Sequence, residues 1–77
     1  MTQSVFTKRY QTFISLLVSA RQGQGLTQRD LAKKLRQVRS FVAKYETGER
    51  RLDVIEFLDI AKALDVDPCE VINKLGR

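Results

Sequence analysis

Apolar residues recur at intervals of three and four along most of the chain, which is the spacing of one face of an α-helix. Gly23, Gly25, Gly48 and Pro68 divide this pattern into segments. No segment alternates apolar and polar residues with a period of two, so we expect no β-sheet. The pattern therefore predicts an all-α fold, a compact bundle of five helices that forms one domain over residues 1–77.

The first helix is predicted from the N-cap Thr7 to about Gln22, and Gly23 and Gly25 end it because glycine tolerates a left-handed backbone. The second helix begins at the cap Thr27, with Asp30 as a variant of the capping box. The predicted inward residues of these two helices are Tyr10, Phe13, Ile14, Leu17, Ala20, Leu31, Ala32 and Leu35.

The third helix is predicted from about Val38 to Glu46, with Gly48 closing it. Asp53 caps a fourth helix, and Asp67 caps a fifth with Pro68 in its first position, where a missing N–H costs nothing. Ile55 and Ile60 are predicted to widen the apolar face of the fourth helix. The predicted inward residues of these three helices are Val42, Tyr45, Val54, Phe57, Leu58, Ala61, Leu64, Val71, Ile72 and Leu75.

The second and third predicted helices are short and are joined by a tight basic turn, over about residues 27–47. This is the layout of a helix-turn-helix, whose second helix enters the DNA major groove. Eight basic and three acidic residues lie between Thr27 and Arg51, while the rest of the chain has six of each. The whole net charge of +5 is thus confined to residues 27–51, as a phosphate-facing surface requires.

Other functional classes find little support in the sequence. The chain has no histidine and one cysteine, Cys69, so neither an acid–base centre nor a cluster of metal ligands is evident. We accordingly expect no enzyme, no metal, no cofactor and no small-molecule ligand. No apolar run is long enough for a membrane span and no signal peptide is evident, so we expect a cytoplasmic protein.

Ordered motifs identify a family resemblance over roughly Tyr10 to Leu75. They are Gly-Leu-Thr-Gln at 25–28, Leu-Ala at 31–32, Ser-Phe-Val at 40–42, Lys-Tyr-Glu-Thr-Gly at 44–48, Glu-Arg-Arg-Leu at 49–52 and Ala-Lys-Ala-Leu at 61–64. With these gaps the chain resembles the Cro/cI repressor-like (XRE-type) helix-turn-helix family. The resemblance implies a lambda-repressor-like fold that binds double-stranded DNA.

The resemblance also implies a role for individual residues. Those at positions that face base edges are Arg39, Ser40, Phe41 and Lys44, and those near the DNA backbone are Thr27, Gln28, Arg36, Gln37, Thr47, Gly48, Arg50 and Arg51. Arginine reads guanine through two hydrogen bonds, so we expect a G·C pair in each half-site. For Arg39 the alternative is a phosphate contact. For Phe41 it is a structural role, and for Arg50 and Arg51 it is simple surface charge with no DNA contact.

Two further features follow from the resemblance. Arg21 and Glu46 occupy positions that form a partly buried ion pair in similar domains, so Glu46 is interpreted as structural. Arg36 stands where many relatives have glycine, because the turn needs a left-handed residue. Either the turn has a different backbone conformation here, or Arg36 adopts the left-handed conformation with its strain. A functional interpretation is that Arg36 adds a cation near the phosphates.

Relatives usually act as twofold dimers on palindromic sites, so we expect a homodimeric transcriptional regulator, most simply a repressor. The surplus apolar residues proposed for the dimer interface are Ile55, Ile60, Val71, Ile72 and Leu75. The alternative is that they complete a small core. A restriction–modification controller, an antitoxin-like autoregulator and a protein-interaction module are the other functions that the sequence leaves open.

Overall fold

A computed structural model describes residues 7–76 and contains five helices, with no strand in that range. The prediction of an all-α bundle is confirmed, and the predicted helix ends differ from the observed ones by about one residue. The helices are α1 (Lys8–Gly23), α2 (Gln28–Leu35), α3 (Arg39–Thr47), α4 (Val54–Leu64) and α5 (Pro68–Leu75).

Reciprocal capping bonds fix the starts of α2 and α4. The Asp30 N–H donates to Thr27 Oγ1 at 3.0 Å, and the Thr27 N–H donates to Asp30 Oδ2 at 2.9 Å. These bonds hold the pKa of the Asp30 carboxyl below its usual value. Asp53 and Glu56 form the same arrangement, with N···O distances of 2.7 and 3.0 Å. Each of these two capping boxes supplies acceptors for backbone N–H groups that the start of a helix otherwise leaves unpaired.

Each of α1 to α4 ends where one residue turns into the left-handed region, and after α3 this residue is Gly48, with φ of 86°. After α1 this residue is Gly25, with φ of 72°. After α2 and α4 it is Arg36 and Asp65, both with φ of 57°. In the α2 case the Arg36 N–H donates to Lys33 O and the Gln37 N–H to Ala32 O, which is the Schellman pattern. The turn is therefore not rebuilt around Arg36, and the backbone keeps the conformation that glycine would adopt.

The core lies where α1 packs against α3, α4 and α5 while α2 packs against α3 and α4. Its fully buried side chains come from four of the five helices and are Leu17, Leu31, Val42, Tyr45, Ile60 and Leu64. Phe13 and Phe57 add an edge-to-face contact with 5.0 Å between ring centroids. These contacts clamp α2 and α3 onto α1 and α4, so the helix-turn-helix is held as part of the core.

The inward face of α4 differs from the predicted stripe. Phe57, Ala61 and Leu64 are buried as predicted. Val54 and Leu58 are instead 63% and 45% exposed. Eight of the eleven residues of α4 are apolar, so intervals of three and four fit more than one face, and contacts with the other helices decide which face is inward.

The observed burial also corrects the list of dimer-interface candidates. Ile60 is fully buried and Val71 is 9% exposed, so both belong to the core and neither offers a surface to a partner. Leu75 is half-buried. The exposed apolar residues on this side form what we call the α4–α5 apolar face: Val54, Ile55, Leu58 and Ile72.

Candidate nucleic-acid interface

The outer face of α3 is polar and lies opposite its buried anchors. Val42 and Tyr45 are fully buried, and they fix the orientation of the helix. Ser40, Lys44 and Thr47 are exposed, and their intervals of three and four place them on one side of the helix. The structure thus brings two of the predicted base-reading residues together with a predicted backbone contact on one surface.

Ala43 lies on this outer face and was missed by the sequence interpretation. It follows Ser40 by three residues and Arg39 by four, so it lies between them and Thr47 on the same side. Its interval of three residues from Ser40 is the signal in the sequence that would have indicated it. A small methyl side chain here lets the helix approach base edges closely and contact a thymine methyl group.

A shallow depression lies beside Arg39, at the start of α2. Its lining includes Thr27, Gln28 and the cations Arg21, Arg29 and Arg39. The first N–H groups of a helix have no intrahelical acceptor, and they favour anions. This placement brings Thr27 and Gln28 into one cationic surface with Arg39. Arg29, which the sequence interpretation passed over, belongs to the same surface.

Arg21 and Glu46 form a nearly buried ion pair behind this depression. Arg21 Nε donates to Glu46 Oε2 at 2.8 Å and Arg21 Nη2 donates to Oε1 at 3.1 Å. The two side chains are 11% and 6% exposed. Arg21 Nη1 also donates to the Leu26 carbonyl at 2.8 Å. Glu46 therefore points inward, away from the outer face of α3, and links α3 to the end of α1.

Tyr45 fills the core next to this pair. Burial raises the pKa of the Tyr45 hydroxyl, and the adjacent Glu46 carboxylate raises this pKa further. The phenol is therefore neutral at physiological pH, and its ring acts as a packing element. Within residues 7–76 no group of three or more cysteine and acidic residues is arranged to hold a metal ion.

Phe41 lies on the flank of α3 and is half-buried. Its ring meets Tyr45 edge to face with 5.7 Å between centroids, and the Arg50 guanidinium lies 4.9 Å from its centroid. A cation over an aromatic face is attracted by the ring quadrupole. Phe41 is thus held between the core and Arg50.

Arg50 and Arg51 have partners within the protein. Arg50 Nη1 and Nη2 donate to the two carboxylate oxygens of Glu56 at 2.9 and 2.6 Å. The Arg51 guanidinium lies 4.3 Å from the centroid of the Tyr10 ring. The forked pair with Glu56 neutralises Arg50 and ties the loop after α3 to α4, so a structural role accompanies any phosphate contact that Arg50 makes.

The Arg50–Glu56 pair predicts a specific acid sensitivity. The Arg50 guanidinium and the Asp53 N–H hold the pKa of Glu56 below its usual value of 4.5. A pKa that is lower in the folded state stabilises the fold above about pH 4.5, and this contribution disappears as the pH falls through the folded value. Glu56→Gln keeps an N3 capping side chain but removes the charge. We expect it to cost at most about 1 kcal/mol at pH 7.

The measurement is urea unfolding of the wild type and Glu56→Gln between pH 7 and pH 3. The difference between their free energies of unfolding should shrink below about pH 4.5. Asp59→Asn on the exposed side of α4 is the control, and its difference from the wild type should be smaller. A difference for Glu56→Gln that stays constant with pH would contradict this role of the carboxylate.

Arg36 and Gln37 lie at the other end of α2, away from the depression beside Arg39. They line a groove between the turn and α4, together with Phe41 and the carboxylates of Glu56 and Asp59. Arg36 is exposed, so its cation is available at the edge of the helix-turn-helix. Lys34 and Lys62 line the same groove, so it carries three cations and two carboxylates.

Replacing Arg36 with glycine is expected to stabilise the domain. A non-glycine residue in the left-handed region is strained by about 1–2 kcal/mol, and the greater freedom of an unfolded glycine offsets about 0.4–1 kcal/mol of the relief. We expect a net gain of roughly 0.5–1 kcal/mol in the free energy of unfolding, measured by urea denaturation. Arg29→Gly inside α2, where the backbone is helical, should instead destabilise the domain.

The sequence of residues 17–71 matches the model of the helix-turn-helix family HTH_3. The chain belongs to this family. A solved structure of an XRE-family like protein from Pseudomonas syringae pv. tomato str. DC3000 is 47% identical to it, with a TM-score of 0.85. That similarity covers 88% of this chain and 83% of the other. No curated protein matches the chain.

Membership confirms the XRE-type resemblance and makes the chain a member of a family of DNA-binding transcription regulators, whose fold is not typical of enzymes. Within residues 7–76, none of the helices combines the length and apolar character that a bilayer crossing needs.

Proposed function

We propose that the protein is a sequence-specific repressor that binds a palindromic operator as a homodimer in the cytoplasm. The observation that carries the proposal is the outer face of α3, where Ser40 and Lys44 lie opposite the buried Val42 and Tyr45. Arg39 stands at its edge beside the cationic start of α2. A helix inserted in the major groove needs this division between anchoring and reading faces.

The proposed contacts divide into two kinds. Arg39, Ser40, Phe41 and Lys44 read base edges, with Ala43 admitting a close approach. Contacts to the DNA backbone come from both ends of the unit, and their residues are Thr27, Gln28, Arg29, Arg36, Gln37, Thr47, Gly48, Arg50 and Arg51. Backbone contacts fix the register of the protein, and base contacts supply the sequence preference.

The α4–α5 apolar face is proposed as the dimer surface. Val54, Ile55, Leu58 and Ile72 are between 45% and 63% exposed, which leaves apolar area to be covered by a second copy. One domain, with a longest extent of 35 Å, reads only a few base pairs with α3. Two domains on half-sites about one helical turn, roughly 34 Å, apart would supply the missing specificity.

A charged residue in this face is expected to disrupt the dimer. Ile55→Glu buries a carboxylate at the contact, which is costly without a partner. Sedimentation velocity should report a monomer, and the variant should lose the added affinity of a duplex with two half-sites over one. Ser19→Glu, on the exposed side of α1, is the charge-matched control and should remain dimeric. A dimer that survives Ile55→Glu unchanged would place the interface elsewhere.

The DNA-binding proposal is tested by the salt dependence of binding. The logarithm of affinity for duplex DNA should fall with the logarithm of salt concentration, with a slope of about −0.9 for each phosphate contacted. A flat dependence would contradict the proposal and favour a protein-interaction module.

If binding depends on salt as expected, selection of bound duplexes from a random pool identifies the operator sequence. An operator near the protein's own promoter would favour an autoregulator or a restriction–modification controller.

A further inference from the structure

Arg50 is held by several contacts, although its side chain is 42% exposed. Besides its fork to the Glu56 carboxylate, its Nη1 donates to the Arg51 carbonyl at 3.0 Å. The guanidinium carbon lies over the Phe41 ring, and the Arg50 backbone N–H donates to the Lys44 carbonyl at 3.2 Å. An arginine at the surface ordinarily samples many rotamers, so these contacts restrict the side chain before any ligand is bound.

The same contacts leave one edge of the Arg50 guanidinium open. A guanidinium carries five N–H groups in a rigid plane. Both N–H groups of Nη1 and one of Nη2 are used by Glu56 and the Arg51 carbonyl. In the described part of the chain no acceptor lies against Nε or the second N–H of Nη2. These two N–H groups are parallel, as the two oxygens of a carboxylate or a phosphate require.

Arg21 shows what this edge of a guanidinium binds. Its Nε and Nη2 donate in parallel to the two oxygens of Glu46, at 2.8 and 3.1 Å. The corresponding edge of Arg50 remains available for an anion from outside the domain. Position 50 follows Thr47 and Gly48 in the loop after the outer face of α3, where contacts with the DNA backbone are proposed. The anion that fits this edge in a DNA complex is therefore a backbone phosphate.

Glu56 is itself fixed, because it belongs to the capping box of α4. Its Oε1 accepts from the Asp53 N–H at 3.0 Å, and the Glu56 N–H donates to Asp53 Oδ1 at 2.7 Å. The Glu56 side chain is 25% exposed, less than that of Arg50. The fork thus ties a guanidinium on a surface loop to the start of a core helix.

The Glu56 carboxylate has two opposite effects on a phosphate contact by Arg50. Its charge reduces the attraction between the guanidinium and the phosphate. Its hydrogen bonds remove the cost of ordering a long side chain on binding. Salt screens the first effect, with a Debye length of about 8 Å at physiological ionic strength, and leaves the second unchanged. The ordering effect is therefore expected to dominate at that ionic strength.

We propose that Glu56 is a positioning residue that presents the Nε–Nη2 edge of Arg50 to one phosphate of the DNA backbone. This role rests on the proposed DNA-binding function and deepens it, because it names the atoms of one backbone contact and the residue that holds them. It also makes an acidic residue favourable for DNA binding. A carboxylate near phosphates ordinarily weakens binding, so the sign of its effect is diagnostic.

A double-mutant cycle tests this assignment. The wild type first selects a duplex from a random pool, and the affinities of wild type, Glu56→Gln, Arg50→Ala and the double variant for it are measured at about 0.15 M salt. Glu56→Gln should weaken binding by about two- to tenfold when Arg50 is present, because the ordering cost returns. In the Arg50→Ala background it should have no effect or strengthen binding slightly. Circular dichroism and thermal melting verify that each variant is folded.

Two further variants separate geometry from charge. Asp59→Asn removes one negative charge from the exposed side of α4, and it should not weaken binding in either background. Arg50→Lys keeps the positive charge but has no second edge, so Glu56→Gln should have little effect beside it. Stronger binding by Glu56→Gln alone would mean that the carboxylate competes with the phosphate. Equal effects with and without Arg50 would mean that Glu56 acts independently. Either result overturns the proposal.

Neutral methylphosphonate linkages locate the phosphate in the selected duplex. One linkage at a time is made neutral, and the penalty at one position should vanish in Arg50→Ala. Glu56→Gln should reduce the same penalty and leave the others as in the wild type, whereas a purely structural role of the pair would change none selectively. If the wild type selects no duplex, the proposed function itself fails. If it selects one and no linkage depends on Arg50, only the role of Arg50 and Glu56 fails.

Discussion

Replacing Glu46 with alanine is expected to lower the free energy of unfolding by about 3–5 kcal/mol. The reason is that Arg21 is 11% exposed and would lose both bonds of its fork, so a guanidinium would be left nearly buried without a counter-ion. Removing one partner of such a pair costs more than the pair itself contributes. Gln28 would lose its acceptor as well.

Urea denaturation followed by circular dichroism measures this effect. The total free energy of unfolding of a small domain is about 5–15 kcal/mol, so the variant should be marginally folded. Its melting temperature should fall by more than about 10 °C. Glu49→Ala, an exposed acid three residues further along, is the control and should change stability by less than about 0.5 kcal/mol. Unchanged stability together with altered DNA affinity would mean that Glu46 faces DNA.

The second large effect is expected for Arg39→Ala on the selected operator. A bidentate contact to guanine discriminates between bases by about 1–3 kcal/mol, which is roughly a 5- to 150-fold difference in affinity. The variant should therefore bind operator duplex more weakly and lose most of its preference at one base pair. Its affinity for unrelated duplex should fall much less, because phosphate contacts by other residues remain.

Salt titrations separate this role from the alternative of a phosphate contact. If Arg39 contacts a phosphate, Arg39→Ala should weaken binding to all sequences and reduce the salt slope by about 0.9. If Arg39 reads a base, the loss should be confined to the operator and the slope should change little. Lys8→Ala, at the exposed start of α1, is the control for simple loss of positive charge.

The helix boundaries were predictable from the sequence because capping is local. Thr27 with Asp30, and Asp53 with Glu56, are each three residues apart, and the same few atoms decide the start of the helix in any fold. The rotation of α4 was not predictable in this way. Leu58 and Ile60 are both apolar, and only packing against the other helices assigns one to the surface and the other to the core.

The candidate site shows the same division. The outer face of α3 follows from spacing alone, once Val42 and Tyr45 are taken as anchors. The Arg21–Glu46 pairing spans 25 positions and was expected only from the family resemblance. The Arg50–Glu56 pair and the Gln28–Arg39 bond depend on how helices approach each other, and no periodicity in the sequence encodes that geometry.

The Arg21–Glu46 pair also limits how the recognition element can be transferred to another scaffold. A graft of α3 alone would carry Glu46 into a host that has no matching arginine, so a carboxylate would be stranded against the new core. A graft that begins at Gln28 would carry Glu46 without Arg21, so the same carboxylate would lack its partner. A transferred unit therefore has to include both Arg21 and Glu46, and a designer who changes the specificity of this protein should exchange outer-face residues of α3 one by one.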